Sequence, residues 1–231
     1  MFIHLNLHSV YSAMRGLLSL QDIIELAKVH RMSHLALTDV NGLWGFIRFA
    51  QQCKQANIAP IAGTNIITSN EEVVLLVENQ EGYHNLCQII SAVHDDPTIP
   101  IATLIRGKSV GLFMLAHQES VLASLVKHVP NSHLFMELRP GSQEKNVKKI
   151  ANTFGVEIVA TGDVYFREET DQKAHVVLRA IERNTTLEKL EKGSYKTEQH
   201  WFRSETDMIS LFPNSLDAMN NSYYLAERCK T

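Results

Sequence analysis

The chain has 231 residues, of which 45% are hydrophobic and 20% are charged, and its formal net charge is −3. This composition is typical of a globular protein with a large core, and it lacks the basic excess of a domain that grips DNA. No run approaches the length of a membrane span, and the opening MFIHLNLHS has no signal-peptide pattern. The three cysteines form no C-x-x-C pair, so we expect reduced thiols. These features predict a cytoplasmic protein without membrane association.

The first half of the chain alternates short apolar runs with segments of helical periodicity. The apolar runs predict strands over residues 3–7, 34–38, 58–67 and 72–77. A capping-box pattern, Ser19-Leu-Gln-Asp22, predicts the start of the first helix. Apolar residues at helical spacing predict two further helices, over residues 46–53 and 82–94.

The second half continues the same alternation. Strands are predicted over residues 111–116, 133–138 and 156–161, and helices over residues 120–128 and 143–154. Two later segments, 168–183 and 205–228, are mostly helical in pattern. The polar stretch between them, residues 184–203, is expected to be a surface excursion.

Seven strands alternating with helices predict an α/β fold with a mainly parallel sheet. This number of strands suits a β/α barrel better than two separate lobes. We expect one domain over residues 1–231, with the barrel over about 1–183 and the polar excursion and a C-terminal helical extension over about 184–231. The chain stops at AERCKT directly after a predicted helix, which favours a longer native protein.

The stretch HLNLH at residues 4–8 raises the question of a metal site. Strict alternation would place His4, Asn6 and His8 on one face of the predicted strand. Two histidines framing one position are typical of metal binding. The residue between them is an asparagine, whose amide is a poor ligand for zinc or manganese. The residues alone therefore leave metal binding open.

In a parallel barrel, functional side chains gather at the carboxyl ends of the strands. The predicted ends supply Asn6, His8, Asp39, Val40, Asn65, His117, Glu137, Asp163 and Tyr165. The plausible ligands among them, His8, His117, Asp163 and Asp39, are too few for a multinuclear phosphoesterase site. Each also has a structural interpretation: a hydrogen-bonded strand end for His8, a turn or helix cap for Asp39 and Asp163, and a helix start for His117.

Several long motifs resemble a known family. HLNLHSVYSAMRG, LALTDVNGLWGFIRFAQQCKQANIAPIAGTNI and VLLVENQEGYHNLCQIIS resemble the polymerase-and-histidinol-phosphatase (PHP) domain that opens bacterial DNA polymerase III alpha subunits. HLFMEL, VEIVATGDVYF, DQKAHVVLRAI and FRSETDMISLF continue the resemblance in order, so that it covers nearly the whole chain. The stretches SAMRG and DVNGLWG are closer to error-prone or secondary alpha paralogues than to the main replicative one.

The resemblance implies a distorted seven-stranded β/α barrel with a metal cleft at the carboxyl ends of the strands. Active members hold up to three ions there and hydrolyse phosphoesters, in some cases as a 3′–5′ exonuclease. Five ligand positions of the family carry other residues in this chain: Asn6, Arg15, Val40, Asn65 and Tyr165. His8 and Asp163 keep the family residue, and His117 lies near a family ligand. We therefore expect a degenerate cleft with no catalytic residue and no metal.

Three functions follow for testing. The first is a non-catalytic PHP domain of a DNA polymerase III alpha-type protein. It would act in DNA replication or repair synthesis through a structural or protein-docking role. Its partners would be the remainder of the polymerase chain and a proofreading exonuclease subunit, without strong direct binding of nucleic acid.

The second function is a metal-dependent phosphoesterase or 3′–5′ exonuclease with a reduced site. His8, His117 and Asp163 would hold zinc or manganese there, with Asp39 or His4 in support. The third function is a free-standing phosphatase of the histidinol-phosphate kind. The polymerase-like stretches GYHNLCQIIS and FRSETDMISLF count against it.

Overall fold

The structure, a computed structural model, describes residues 1–230; Thr231, the last residue of the predicted domain, lies outside the described residues. Six strands form one sheet in chain order, and each falls within a predicted apolar run. They are β1 (His34–Leu37), β2 (Ala59–Ile67), β3 (Glu72–Val77), β4 (Leu112–Ala116), β5 (Leu134–Leu138) and β6 (Glu157–Ala160). The β-branched and apolar side chains of these runs account for the sheet, because both of its faces are covered.

Helices connect and cover the strands. They are α1 (Leu20–Val29), α2 (Phe46–Gln55), α3 (Gln80–Asp95), α4 (Ile101–Ile105), α5 (Glu119–Leu125), α6 (Glu144–Phe154), α7 (Gln172–Glu182), α8 (Glu205–Leu211) and α9 (Leu216–Arg228). The predicted capping box opens α1, where Ser19 and Asp22 exchange side-chain-to-backbone hydrogen bonds of 3.1 Å. Residues 205–228, predicted to be mostly helical, are interrupted after α8. Pro213 has no N–H to donate and disfavours helical backbone at Phe212, so the segment is two helices.

The sheet is less parallel than the alternating pattern predicts. β1 pairs with β2, β4 with β5 and β5 with β6 in parallel, whereas β3 is antiparallel to both of its neighbours. Only residues 68–71 separate β2 from β3, which is far too short for the crossover that a parallel pair needs. The amino end of β3 therefore lies beside the carboxyl ends of the other strands.

Residues 3–7, where a strand is predicted, form no regular strand, although this segment runs along both edges of the curled sheet. On one side, the His4 and Leu7 carbonyls accept hydrogen bonds from the backbone of β1 and of Thr38 just after it, at 3.1 and 2.9 Å. On the other side, Asn6 and His8 exchange backbone hydrogen bonds of 3.0 and 2.9 Å with Val164, which follows β6. The segment thus connects the two edges without forming a regular ladder.

An extra residue explains why this segment is irregular. The carbonyls that accept these hydrogen bonds, His4 and Leu7, are three residues apart. The N–H groups that donate them, Ala36 and Thr38, are only two residues apart. One extra residue reverses the side-chain alternation beyond it. Ile3 and Leu5 therefore join one apolar cluster, whereas Leu7 joins the cluster on the opposite face. The prediction that His4, Asn6 and His8 share one face fails for the same reason.

The enclosed face of the sheet is apolar at one end. Every strand contributes to this layer, together with the N-terminal segment: Ile3, Leu5, Ala36, Ile61, Val74, Leu76, Phe113, Leu115, Phe135 and Val159. Helix α9 covers it with Leu225, Ala226 and Cys229. We call this end, where the parallel strands begin, the floor. Met1 and Lys230 both lie there: the Met1 ammonium donates to Asn220 Oδ1 of α9 at 3.1 Å, and Lys230 N donates to the Glu78 carbonyl at 2.9 Å.

The opposite end of the enclosed face carries polar side chains. The two-residue repeat of a strand brings them onto the same face as the apolar layer. His117 follows Leu115, Glu137 follows Phe135, and Asp163 lies four residues after Val159. No helix among residues 1–230 has both the length and the hydropathy to cross a bilayer.

Candidate functional site

The polar end of the enclosed face opens into a cleft of about 530 Å³. Its wall includes Arg15, Glu72, Arg139, Tyr165, His175, Lys196 and His200. The strand ends supply Glu72, Arg139 and Tyr165, whereas Lys196 and His200 come from the polar stretch 184–203. This stretch therefore forms part of the cleft and is more than a surface excursion.

Asp163 is the fully buried carboxylate of the cleft, and its backbone lies in the left-handed region with a φ of +43°. Lys196 Nζ lies 2.5 Å from Asp163 Oδ2, His200 Nδ1 lies 3.2 Å from it, and Arg139 Nη1 lies 3.6 Å from it. Burial alone would raise the pKa of this carboxyl. Lys196 and Arg139, followed by His200, instead hold the pKa of Asp163 well below its usual value. The carboxylate is therefore ionised and surrounded by cationic groups.

Glu72 is a second ionised carboxylate of the cleft, placed there by the antiparallel β3. Its Oε1 accepts hydrogen bonds from Asn65 Nδ2 at 2.8 Å and from Arg139 Nη1 at 3.2 Å. Burial acts to raise the pKa of Glu72, but Lys196 and Arg139 overcome this effect and lower the pKa to about 2. Arg139 thus bridges Glu72 and Asp163.

His8 has a hydrogen-bonding neighbour at each ring nitrogen. Nδ1 lies 3.1 Å from the Val164 carbonyl, and Nε2 lies 3.3 Å from Asn65 Nδ2. Burial lowers the pKa of His8 to about 4, so the ring is neutral. The two contacts then assign the proton to Nδ1 and leave Nε2 as the acceptor. One face of the ring stacks on Tyr165 with the ring centroids 4.0 Å apart.

Glu137 and His117 lie side by side deeper in the cleft. Glu137 Oε1 accepts hydrogen bonds from Thr161 Oγ1 at 2.6 Å and from Asn6 Nδ2 at 2.9 Å, while Oε2 lies 3.9 Å from His117 Nδ1. Burial raises the pKa of Glu137 to about 7. Burial, reinforced by Arg139, lowers the pKa of His117 to about 4. His117 Nε2 also lies 3.9 Å from Glu72 Oε2, so neither ring nitrogen is within hydrogen-bonding distance of a carboxylate.

Asp39 and Val40 lie to one side of these residues and stabilise a loop. Asp39 accepts hydrogen bonds from Ser9 N at 2.7 Å, Ser9 Oγ at 2.8 Å and Ser12 Oγ at 2.6 Å. Burial raises the pKa of Asp39 although these bonds oppose the shift. Val40 N donates to Ser12 Oγ, and the Val40 backbone bridges to Asn65. These contacts match the turn-holding interpretation of Asp39.

Arg15 lies on the wall of the cleft, but it does not contact the buried carboxylates. Its Nε lies 3.5 Å from Glu182 of α7, and its carbonyl accepts a hydrogen bond from His175 Nδ1 at 2.7 Å. Arg139 and Lys196 are the cations in contact with the carboxylates.

His4 contacts other partners, away from the groups that surround Asp163 and Glu72. Its Nε2 lies 2.9 Å from the Arg203 carbonyl, and its ring packs against Phe202 with the centroids 4.2 Å apart. Burial lowers the pKa of His4 to about 3. His4 is therefore a packed, neutral side chain.

Comparison with known proteins identifies the fold family. Residues 4–166 match the PHP domain. The chain belongs to the PHP domain family. The DNA polymerase III subunit alpha of Pasteurella multocida (strain Pm70) is 29% identical over 99% of this chain, and that of Escherichia coli (strain K12) is 28% identical over the same share. The chain spans only 22% and 23% of the length of these relatives.

A solved structure agrees with this assignment at the level of the fold. It is a two-domain protein from Bacteroides vulgatus (ATCC 8482) that contains a predicted PHP-like metal-dependent phosphoesterase. Its TM-score to this chain is 0.51 at 13% identity, and the match covers 71% of this chain and 52% of that one.

Four residues of the cleft were not predicted from the sequence to be site residues: Glu72, Arg139, Lys196 and His200. Glu72 opens its strand, so it enters the cleft only because β3 runs antiparallel. Arg139 lies two residues after Glu137, and the strand repeat could have indicated it. Lys196 and His200 belong to a polar stretch without periodicity, and no local pattern places them.

Proposed function

We propose that this PHP domain works without a metal ion and has a structural and protein-docking role in a DNA polymerase III alpha-type protein. The observation that carries this proposal is the contact of Lys196 and Arg139 with the carboxylates Asp163 and Glu72. A divalent cation and these side-chain cations would compete for the same oxygens.

The remaining donors also fit a metal poorly. His8 uses Nδ1 for the Val164 carbonyl and Nε2 for Asn65. Asp163, another ligand of the reduced-site alternative, is contacted by Lys196 at 2.5 Å. No group of three or more His, Cys, Asp or Glu side chains in the part of the chain that the structure describes is arranged to hold a metal.

The proposal extends to the whole chain and its partners. The described residues form one domain, in which residues 3–8 act as the seventh strand position of a distorted barrel because they bond to both sheet edges. The domain belongs to a longer cytoplasmic polymerase involved in replication or repair, since the similar alpha subunits extend far beyond the matched region. It contacts the rest of that polymerase and a proofreading exonuclease subunit, and the net charge of −3 argues against strong binding of nucleic acid.

One observation favours the metal-dependent phosphoesterase as a second candidate. The buried atoms His117 Nδ1 and Asn65 Oδ1 have no hydrogen-bond partner among the described residues. His117 also lies between Glu72 and Glu137, at 3.9 Å from each. Imidazole and carboxylate side chains grouped in this way are ligands that suit zinc or manganese.

The metal content of the purified chain tests the proposal. After dialysis against buffer with trace zinc and manganese, inductively coupled plasma mass spectrometry is expected to find far less than one ion per chain. The His117→Ala variant serves as the matched control, and its metal content should equal that of the wild type. One tightly held ion per chain that is lost in His117→Ala, together with chelator-sensitive phosphoester cleavage, would overturn the proposal in favour of the second candidate.

A further inference from the structure

We propose that the Lys196 ammonium group is a built-in cation that takes the place of a metal ion in this cleft and fastens residues 194–200 to its wall. This inference rests on the proposed metal-free function and adds the residue responsible. The Bacteroides vulgatus protein contains a predicted PHP-like metal-dependent phosphoesterase, whereas in this chain Lys196 supplies a positive charge to the cleft itself.

The Lys196 ammonium group lies beside a buried carboxylate, where a bound cation would lie. Its Nζ lies 2.5 Å from Oδ2 of the fully buried Asp163 and 4.8 Å from the centroid of the Tyr165 ring. The side chain is only 20% exposed. Because Tyr165 stacks on His8, the ammonium, the phenol ring and the imidazole form a continuous packed column. An ammonium held between a carboxylate and an aromatic face is well stabilised.

The charge of Lys196 acts on four other titratable groups of the cleft. It lowers the pKa of both carboxyls, Asp163 and Glu72, and it also opposes protonation of His8 and His117. A metal ion at the same place would act on these four groups in the same direction. Lys196 and Arg139 together balance the two ionised carboxylates, so removal of either cation leaves one excess negative charge in the cleft.

The backbone on both sides of Lys196 is attached to the body of the domain. Lys196 N donates to His175 Nε2 at 3.0 Å, and the Ser194 carbonyl accepts from Arg179 Nε at 2.9 Å. Beyond Lys196, the His200 carbonyl accepts from Tyr165 N at 2.9 Å. A cation delivered by an attached segment loses less freedom than a free ion on binding, which favours it in competition with dissolved metal.

The test compares three forms of the full chain: wild type, Lys196→Met and Lys192→Met. Methionine matches the unbranched lysine side chain as far as the ε carbon and lacks the charged nitrogen, and Lys192 is an exposed lysine of the same stretch. Thermal unfolding is followed in EDTA and in millimolar manganese(II) chloride. In EDTA, Lys196→Met is expected to melt on the order of 10 °C below the wild type. Manganese should recover a clear part of that loss in Lys196→Met and leave the wild type and Lys192→Met unchanged.

The outcomes separate this inference from the proposed function. If wild type holds no metal and manganese fails to raise the melting temperature of Lys196→Met, the inference is wrong while the metal-free function stands. Metal bound to wild type overturns both. If Lys196→Met does not fold, the double variant Lys196→Met, Asp163→Asn removes the unpaired carboxylate and should fold without a response to manganese. Failure of the double variant to fold, or a manganese response in it, would also overturn the inference.

Discussion

Glu137 differs from the other carboxyls of the cleft because no cation contacts it. Its partners are a hydroxyl and an amide, from Thr161 and Asn6, and His117 Nδ1 lies 3.9 Å from its Oε2. Burial favours the protonated carboxyl and outweighs the attraction of the Arg139 cation. At neutral pH this site therefore exchanges a proton, whereas Asp163 and Glu72 stay ionised beside Arg139 and Lys196.

Replacement of Glu137 by Gln should remove one component of the pH dependence of folding. Burial raises the pKa of Glu137 from 4.5 to about 7, so the folded chain binds a proton that the unfolded chain has lost over that interval. This stabilisation is complete below about pH 4.5 and is lost as pH rises to about 7. We expect the unfolding free energy of the wild type to fall by up to about 3 kcal/mol relative to that of Glu137→Gln as pH rises across this range.

Urea unfolding at half-unit steps from pH 4.5 to 8 measures this difference. The exposed Glu188→Gln is the control, and its profile should run parallel to the wild type because that carboxyl is in water in both states. A Glu137→Gln profile that also runs parallel to the wild type would show that Glu137 does not take up a proton on folding.

At the scale of single residues, the sequence located most of the cleft and missed the charges that neutralise it. The two-residue repeat and the family motifs were enough to place His8, Asn65, His117 and Asp163 near one another. Lys196 lies 33 residues from Asp163 in sequence. Only the path of an irregular segment brings the two together, and no periodic signal encodes that path.

Helix α3 depends on a close approach that only glycine permits. Asn79 Oδ1 accepts a hydrogen bond from Gly82 N at 3.1 Å and so caps the helix, while Gly82 lies against the backbone of Gly111 before β4. A Cβ atom on Gly82 would lie 1.7 Å from the Gly111 carbonyl oxygen. The helix start and the sheet must therefore separate if any side chain is added.

We expect Gly82→Ala to destabilise the chain by about 1–3 kcal/mol, because relief of the clash displaces α3 from the sheet. Ser91→Ala, at an exposed position of the same helix, is the matched control and should be nearly neutral since alanine is the better helix former. Chemical denaturation of both variants measures the effect. Equal stability of Gly82→Ala and Ser91→Ala would mean that the approach to Gly111 relaxes without cost.

At the scale of elements, all six strands of the sheet were predicted from the sequence, but the antiparallel direction of β3 was not. Apolar run length indicates where a strand lies, and it carries no information on whether the strand is parallel. The loop between β2 and β3 has only four residues, which is too few for a crossover. The length of this loop could therefore have indicated that β3 is antiparallel to β2. The predicted first strand failed because one extra residue disrupts a pattern that looks strictly alternating.

Over the whole molecule, the family match and the folded unit have different limits. The PHP match ends at residue 166, yet Lys196, His200 and α9 come later in the chain and complete the cleft and the floor. Helix α9 contributes Leu225 to the apolar layer, where it is 2% exposed. The fold thus requires residues that lie outside the family signature.

Leu225→Ala tests the contribution of α9 to the fold. Truncation of this side chain leaves a cavity over the apolar layer, and we expect a loss of about 2–5 kcal/mol in the unfolding free energy. The adjacent Tyr224 is 64% exposed, so Tyr224→Ala should cost far less. Urea unfolding of both variants gives the comparison. A similar loss in the two variants would show that α9 does not seal the enclosed face.

The floor also determines how the molecule can be handled and oriented. Met1 and Lys230 both lie there, against α9 and beside Glu78, while the cleft opens at the opposite end of the sheet. The Met1 ammonium group is exposed, and its ion pair with Glu205 adds little stability in water. A tag or fluorophore joined to either end therefore attaches at the floor. A molecule immobilised through such a tag presents its cleft to the solution.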